Sequence, residues 1–336
     1  MTTERNTPMR STRTAAALVT LALSASALSA CGSDSASSAS GDGGRNVYAL
    51  LPQGNDQPYG TEYLKAMNAE AEKEGIELTI TNSQYDADKQ ASDCQVAVAA
   101  QPDLIILWPA VADTVRPCLE RAKAAGIPVT VTNSDVKEED KSLTAGYSGP
   151  DTYGQGASSA EIMCELAGGE DVNILQVEGL TGNTTAINRK AGFEETIAED
   201  CPNVKIVASQ PGDWNKDDSQ TVTSEMLTAT GARNVQGIYA ADDTMVAGAI
   251  DALKSQGLDV EKMLITSIGN TKLGNPLVVN GELDGTVFQS SAWDGQNAIT
   301  LAAQVLDGEE VDGDLFMPSV KVTEANATDA EVTPNW

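Results

Sequence analysis

Residues 46–75 set the pattern that most limits what this chain can fold into. Asn46-Val-Tyr-Ala-Leu-Leu51 is a short apolar run. It gives way to a polar, turn-rich loop carrying Gln53, Asn55, Gln57 and Tyr59. Helical spacing follows, with Leu64, Met67 and Ala71 on one face and Gly75 as the stop. An apolar run, a loop and an amphipathic helix ending in glycine make a strand–loop–helix unit. Such units build parallel sheets, and open α/β sheets bind ligands at the carboxyl ends of their strands.

The unit recurs. Strands are predicted at 77–81, 104–108, 129–132 and 143–147, separated by helices at 90–101 and 112–125, the second stopped by Gly126. A second block places helices at 153–166, 186–199, 217–228, 242–256 and 294–306. Its strands fall at 172–177, 204–209, 235–240, 264–268 and 286–289. Gly257 repeats the helix stop. Two successive blocks of alternating strands and helices predict an α/β fold of two doubly wound parallel-sheet lobes.

The N-terminus reads as an export signal. Arg5, Arg10 and Arg13 face one Glu4, and residues 15–27 form a small-residue apolar stretch too short to span a bilayer comfortably. It ends Leu28-Ser29-Ala30-Cys31. This is similar to the bacterial lipoprotein signal, in which a lipidated cysteine, here Cys31, becomes the new N-terminus. Residues 32–44 have no large apolar side chain and read as a flexible tether.

Formal net charge is -28 over 336 residues, and histidine does not occur. The charge argues against nucleic acid as a partner, because that needs a basic face. The lack of histidine removes the commonest general base and metal ligand. With 41% hydrophobic residues a sizeable core is available. Beyond Cys31, four cysteines remain: Cys94, Cys118, Cys164 and Cys201. An even count in an exported chain favours disulfides, with three pairings open. Consecutive crossover helices can be neighbours on one sheet face. That favours Cys94–Cys118 and Cys164–Cys201, with buried free thiols as the alternative. No CxxC spacing suggests zinc.

No GxxxxGK(S/T), GxSxG or HExxH motif occurs. Gly154-Gln155-Gly156 has Ser159 where a dinucleotide fingerprint needs a smaller residue. Asp242-Asp243 could pass for an acid–base pair, but at a strand-to-helix junction it reads as an N-cap plus one ligand contact. No metal site, cofactor or enzyme activity is expected.

Several stretches together resemble the type I periplasmic binding proteins, in particular the ribose/galactose-type substrate-binding lipoproteins of ABC importers. Gln57-Pro58-Tyr59 stands where ribose-binding members have Asn-Pro-Phe. Gly179-Leu-Thr-Gly182 followed by Arg189-Lys-Ala-Gly-Phe193 matches their loop–helix segment. Ala208-Ser-Gln-Pro211 with Asp213-Trp214, Ala241-Asp-Asp-Thr-Met245 and Thr286-Val-Phe-Gln289 follow in the same order. The resemblance covers about 46–320. It implies lobes joined by crossing strands and closing on a ligand by a hinge. The expected first lobe is 45–147 plus 290–317, and the second is 148–289 plus 318–336. Tyr59 and Trp214 would stack on a carbohydrate from opposite sides. Gln57, Asn133, Asn188, Asp242, Asn270 and Gln289 would bind hydroxyls. Trp108 reads as cleft wall and Trp293 as packing.

The chain also departs from the ribose type. Asn133-Ser134 replaces an Asp-Arg pair, Ile187 stands for an Arg, and Gly269 for an Asp. Three charged hydroxyl clamps thus become neutral, which implies a different ligand. The expectation is a small neutral polyhydroxylated molecule, a sugar alcohol (tetritol to hexitol) ahead of a monosaccharide. The implied partners are an ABC permease and its ATPase, with a membrane anchor at Cys31 and a monomeric head. Presentation of the ligand to a membrane sensor is the alternative role, and an exported carbohydrate-active enzyme is a weaker one.

Overall fold

Along the first strands the side chains alternate between two cores. The computed structural model describes residues 45–336, so the signal, Cys31 and the tether lie outside the described residues. β1 (Arg45–Leu51) sends Val47, Ala49 and Leu51 to one face and Leu50 to the other. The remaining first-sheet strands are β2 (Ile76–Asn82), β3 (Leu104–Leu107), β4 (Val129–Thr132) and β5 (Gly146–Pro150). α1 (Pro58–Glu74), α2 (Ala87–Ala100) and α3 (Ala112–Ala124) connect them. In β3, Leu104 and Ile106 join the first face, and Ile105 and Leu107 the second. Both faces are apolar because helices cover both, as a parallel sheet requires.

The second sheet repeats the winding. α4 (Thr152–Ala167), β6 (Val172–Glu178), α5 (Thr184–Asp200), β7 (Val204–Pro211) and α6 (Lys216–Thr230) come first. β8 (Gly237–Ala240), α7 (Asp243–Ser255), β9 (Leu264–Thr266), α8 (Gly274–Val279) and β10 (Gly285–Val287) complete it. α9 (Ser291–Leu306) returns to pack on α1 in the first lobe. β11 (Leu315–Met317) then pairs parallel with β5, and β12 (Lys321–Thr323) pairs antiparallel with β10.

The sheet orders are β11-β5-β4-β3-β1-β2 and β12-β10-β9-β8-β6-β7. Each sheet reverses direction of winding beside its first strand, between β1 and β3 and between β6 and β8. The chain passes between lobes after β5, after β10 and between β11 and β12. The α/β two-lobe expectation therefore holds. The stop glycines behave as expected too, with φ of 64° at Gly75, 74° at Gly126 and 72° at Gly257. The strand expected at 143–147 runs instead from Gly146 to Pro150, because a short 3-10 turn, Glu138–Leu143, takes up the preceding residues.

Disulfides join Cys94 to Cys118, between α2 and α3, and Cys164 to Cys201, between α4 and the residue after α5. Their Cα separations are 5.9 and 5.5 Å. In the loop-closure picture each adds about 3–4 kcal/mol by restricting the unfolded chain. Among the described residues, no helix is long and apolar enough to cross a membrane.

Candidate functional site

The carboxyl ends of β1, β3, β6 and β8 face a shared cleft, as the winding reversals require. Its cavity is about 760 Å³. The first lobe lines it with Gln53, Gln57, Tyr59, Trp108 and Asn133, and the second with Asn183, Arg189, Trp214 and Asp242. Gln289, on the crossing after β10, lies between.

Tyr59 enters the cleft because Pro58 starts α1 at its first turn and turns the chain inward. Gln57 is the N-cap but makes no side-chain capping bond, so its amide remains available to the cavity. The Tyr59 hydroxyl donates to Asp294 Oδ2 (2.6 Å) and accepts from Asn133 Nδ2 (2.9 Å) and Gln289 Nε2 (3.0 Å). Asn133 Nδ2 also donates to Asp294 Oδ2 (2.6 Å), and Thr132 Oγ1 to Asp294 Oδ1 (3.3 Å). Asp294 is wholly buried in α9. Burial pushes its carboxyl up to about 7, against hydrogen bonds from Asn133, Tyr59 and Thr132 that pull it down.

On the other side Arg189 is buried in α5. Its guanidinium donates to Gln155 Oε1 (2.8 and 3.1 Å), to the Ala241 carbonyl (2.7 Å) and to Gln289 Oε1. The guanidinium carbon lies 5.9 Å from the centre of the Trp214 ring. Gln289 therefore links the lobes, accepting from Arg189 and donating to Tyr59. Asp242 caps α7, accepting from the Met245 amide (2.7 Å). Burial pushes its carboxyl up to about 6, with Met245 and Arg189 opposing. Asp243 turns away, accepting from Ser267, from Thr286 Oγ1 (2.8 Å) and from the Thr271 amide (2.7 Å). The pair does not divide into a cap and a ligand contact as expected: Asp242 both caps α7 and lines the cleft, while Asp243 ties the fold.

Trp214 follows β7 on a loop where Asp213 and Trp214 both have positive φ, 53° and 60°. Its ring lies against Gly179, where an added Cβ would come within 2.1 Å of the indole. The lobes also touch at the rim. The Ala112 amide donates to the Gly182 carbonyl (3.2 Å), Asn183 Nδ2 to the Ala110 carbonyl (3.1 Å), and the Ser134 and Thr185 hydroxyls lie 2.7 Å apart. Lys272 approaches Glu62 across the same gap (3.6 Å).

Six expected ligand contacts line the cavity: Gln57, Tyr59, Asn133, Trp214, Asp242 and Gln289. Two do not. Asn188 donates to Thr152 Oγ1 (3.0 Å) along the α4–α5 seam. Asn270 is fully buried, donating to the Val332 carbonyl and accepting from Asn275 (3.0 Å). Ile187, the neutral replacement on the same helix as Asn188, does not line the cavity. Ile187 is 53% exposed, whereas Arg189 is 4% exposed and lines the cleft. A helix turns 100° per residue, so two positions apart lie on nearly opposite faces. Thr185, Ala186, Arg189, Phe193 and Ile197 are the buried stripe of α5, a spacing that could have identified Arg189. Gln53, Tyr85, Asp294 and Trp336 were missed as well. Gln53 donates to the Tyr85 hydroxyl (2.8 Å), while its Oε1 is buried without a hydrogen-bond partner among the described residues.

Residues 48–310 match the family model described as the periplasmic binding protein domain. The chain belongs to the type I periplasmic binding protein family. A galactofuranose-binding protein, YtfQ of Escherichia coli, is 33% identical over 218 residues, 65% of this chain and 67% of the relative. A xylitol-binding protein of Mycolicibacterium smegmatis is 28% identical over 262 residues, 77% of this chain and 73% of the relative. A solved Mycobacterium smegmatis structure in complex with β-D-fucofuranose is similar with a TM-score of 0.78 and 27% identity, covering 85% of this chain and 93% of that one. Periplasmic binding proteins of this type are substrate-binding components of transporters. The chain is accordingly a binding protein and not an enzyme.

Proposed function

We propose that this periplasmic binding protein is an extracytoplasmic receptor, lipid-anchored at Cys31, that delivers a small neutral carbohydrate to an ABC permease and its ATPase. The observation that carries the ligand class is the set of side-chain amides lining the cavity, Gln57, Asn133 and Gln289, together with Trp214. Amides both donate and accept, which suits hydroxyls, while an indole face suits sugar C–H groups. Arg189 and Asp242 bring opposite charges to the same cavity, consistent with a ligand that carries none. Contacts between the lobes at the rim support binding by hinge closure.

Arg189, two residues from Ile187, brings a buried charged donor to the cavity, which weakens the case for a wholly neutral site and with it for a sugar alcohol. A monosaccharide in its five-membered-ring form therefore leads, in line with the galactofuranose-binding relative and the fucofuranose complex. A sugar alcohol is the second reading, favoured by the xylitol-binding relative.

A thermal-shift screen of the purified protein tests this against aldoses and ketoses that populate furanose forms, alditols and inositols. A ligand that binds only the folded state raises the melting temperature by mass action. A rise with furanose-forming sugars alone supports the leading reading, and a rise with alditols alone supports the second. No rise across the panel contradicts both. Retention of the protein in the membrane fraction, lost on Cys31→Ser, tests the anchor.

A further inference from the structure

We propose that Trp336 forms the first-lobe aromatic wall against which the ligand stacks, and that it selects among carbohydrates by the space it fills. This rests on the carbohydrate reading of the cleft. Tyr59, expected to supply that wall, is only 6% exposed, and Trp108 is 2% exposed. Both rings are hemmed in by other aromatics. Trp336 is half-buried, packs on the first-lobe core and lines the cavity. Tyr85, held at its hydroxyl by Gln53, is likewise half-buried and lines the cavity, but of the two it is Trp336 that packs on the Tyr59 ring and covers it toward the cleft.

Its position is fixed from both lobes. Val332 is buried in the second-lobe core, and its carbonyl accepts from Asn270. Residues 333–336 then cross the floor of the cleft. Asn335 Nδ2 donates to Ser290 Oγ (2.7 Å), and Asn335 Oδ1 accepts from Ser291 Oγ (3.2 Å). The Trp336 carbonyl accepts from the Lys272 amide (2.6 Å). The indole Nε1 donates to the Gln289 carbonyl (2.8 Å), and the ring meets Tyr59 edge to face, with centroids 4.8 Å apart and planes at 79°. With its one donor satisfied by the protein, the ring offers the cavity apolar surface. That surface suits the C–H flank of a sugar whose hydroxyls reach Asn133 and Gln289. Buried Asn270 thus serves the site indirectly, by holding the base of this segment.

The test is titration calorimetry of the wild-type protein, Trp336→Ala and Trp336→Phe against the same carbohydrate panel. Trp336→Ala is expected to weaken the preferred ligand about tenfold or more and to shift the order of preference toward bulkier sugars. Trp336→Phe keeps a ring and should stay within about threefold of wild type. Should Trp336→Ala fail to fold, Trp336→Leu keeps apolar bulk without a ring and should weaken binding about fivefold. Unchanged affinity and unchanged order in the Ala or Leu variant would overturn the inference while leaving the carbohydrate reading in place. A wild-type protein that binds nothing in the panel would overturn both.

Discussion

Tyr59 and Trp214 line one cleft from opposite lobes, yet the two lobes hold them differently. The Tyr59 hydroxyl sits in a closed set of hydrogen bonds with Asp294, Asn133 and Gln289, and its ring is enclosed by Trp108, Tyr63 and Trp336. Trp214 stands on a loop of left-handed residues, half-exposed, resting on Gly179 and beneath Arg189. One aromatic is bonded into the scaffold and the other presents its ring to the cleft. The difference teaches that residue type alone does not separate a wall from a support: what a side chain's polar atoms are bonded to does.

Arg189 joins the two halves of that contrast, and removing it should have the largest effect. Arg189→Met leaves Gln155, Gln289 and the Ala241 carbonyl short of a donor in a buried place. Each such loss costs about 1–3 kcal/mol. Calorimetry should show ligand affinity reduced about a hundredfold or more, and thermal melting a lower midpoint without ligand.

Next in size is a paired comparison. Tyr59→Phe keeps the ring but strands the Asp294, Asn133 and Gln289 groups, so the ligand-free protein should lose about 1–3 kcal/mol in a denaturant titration. Trp214→Ala should leave the ligand-free stability within about 1 kcal/mol and weaken binding about tenfold or more. The contrast breaks if Tyr59→Phe leaves stability unchanged, or if Trp214→Ala costs the fold more than the ligand. Gly179→Ala sharpens it. A methyl within 2.1 Å of the indole must push the ring aside, so affinity should fall about threefold to tenfold with little change in the melting midpoint.

The smallest effect is on pH dependence. Burial raises the Asp294 carboxyl from an ordinary 3.8 to about 7 in the folded protein. A folded value above the unfolded one means that protonation favours the native state. That stabilisation is full below about pH 4 and is lost as pH rises through about 7. Asp242, raised to about 6, acts with the same sign. The melting midpoint should therefore decline between pH 5 and pH 8 for this reason, and Asp294→Asn should flatten the decline.

Much of the fold could be read in the sequence because its signals are local. Glycine stops, buried apolar runs and helical spacing act over a few residues. β11 and β12 could not, since each buries a single side chain, Met317 and Val322, and Phe316 in β11 is itself 50% exposed, so neither shows the apolar run that marks the equally short β9 and β10. α8, six residues with Pro276 inside, left no helical stripe. The site divided along the same line. Tyr59, Trp214 and Asp242 sit at loop-to-helix junctions that mark themselves by Pro58, Asp213 and the Asp pair. Asp294 meets Tyr59 across 235 residues, and Trp336 meets Gln289 across 47. No local pattern announces such pairs. Asn188 and Asn270 show the converse, polar residues in promising stretches whose amides serve the fold.

The most direct test of the account is titration calorimetry of the wild-type protein and Trp214→Ala with furanose-forming monosaccharides and alditols. The account predicts saturable one-to-one binding of at least one by the wild type, weakened about tenfold or more in the variant. No binding by the wild type, or equal binding by both proteins, would contradict it.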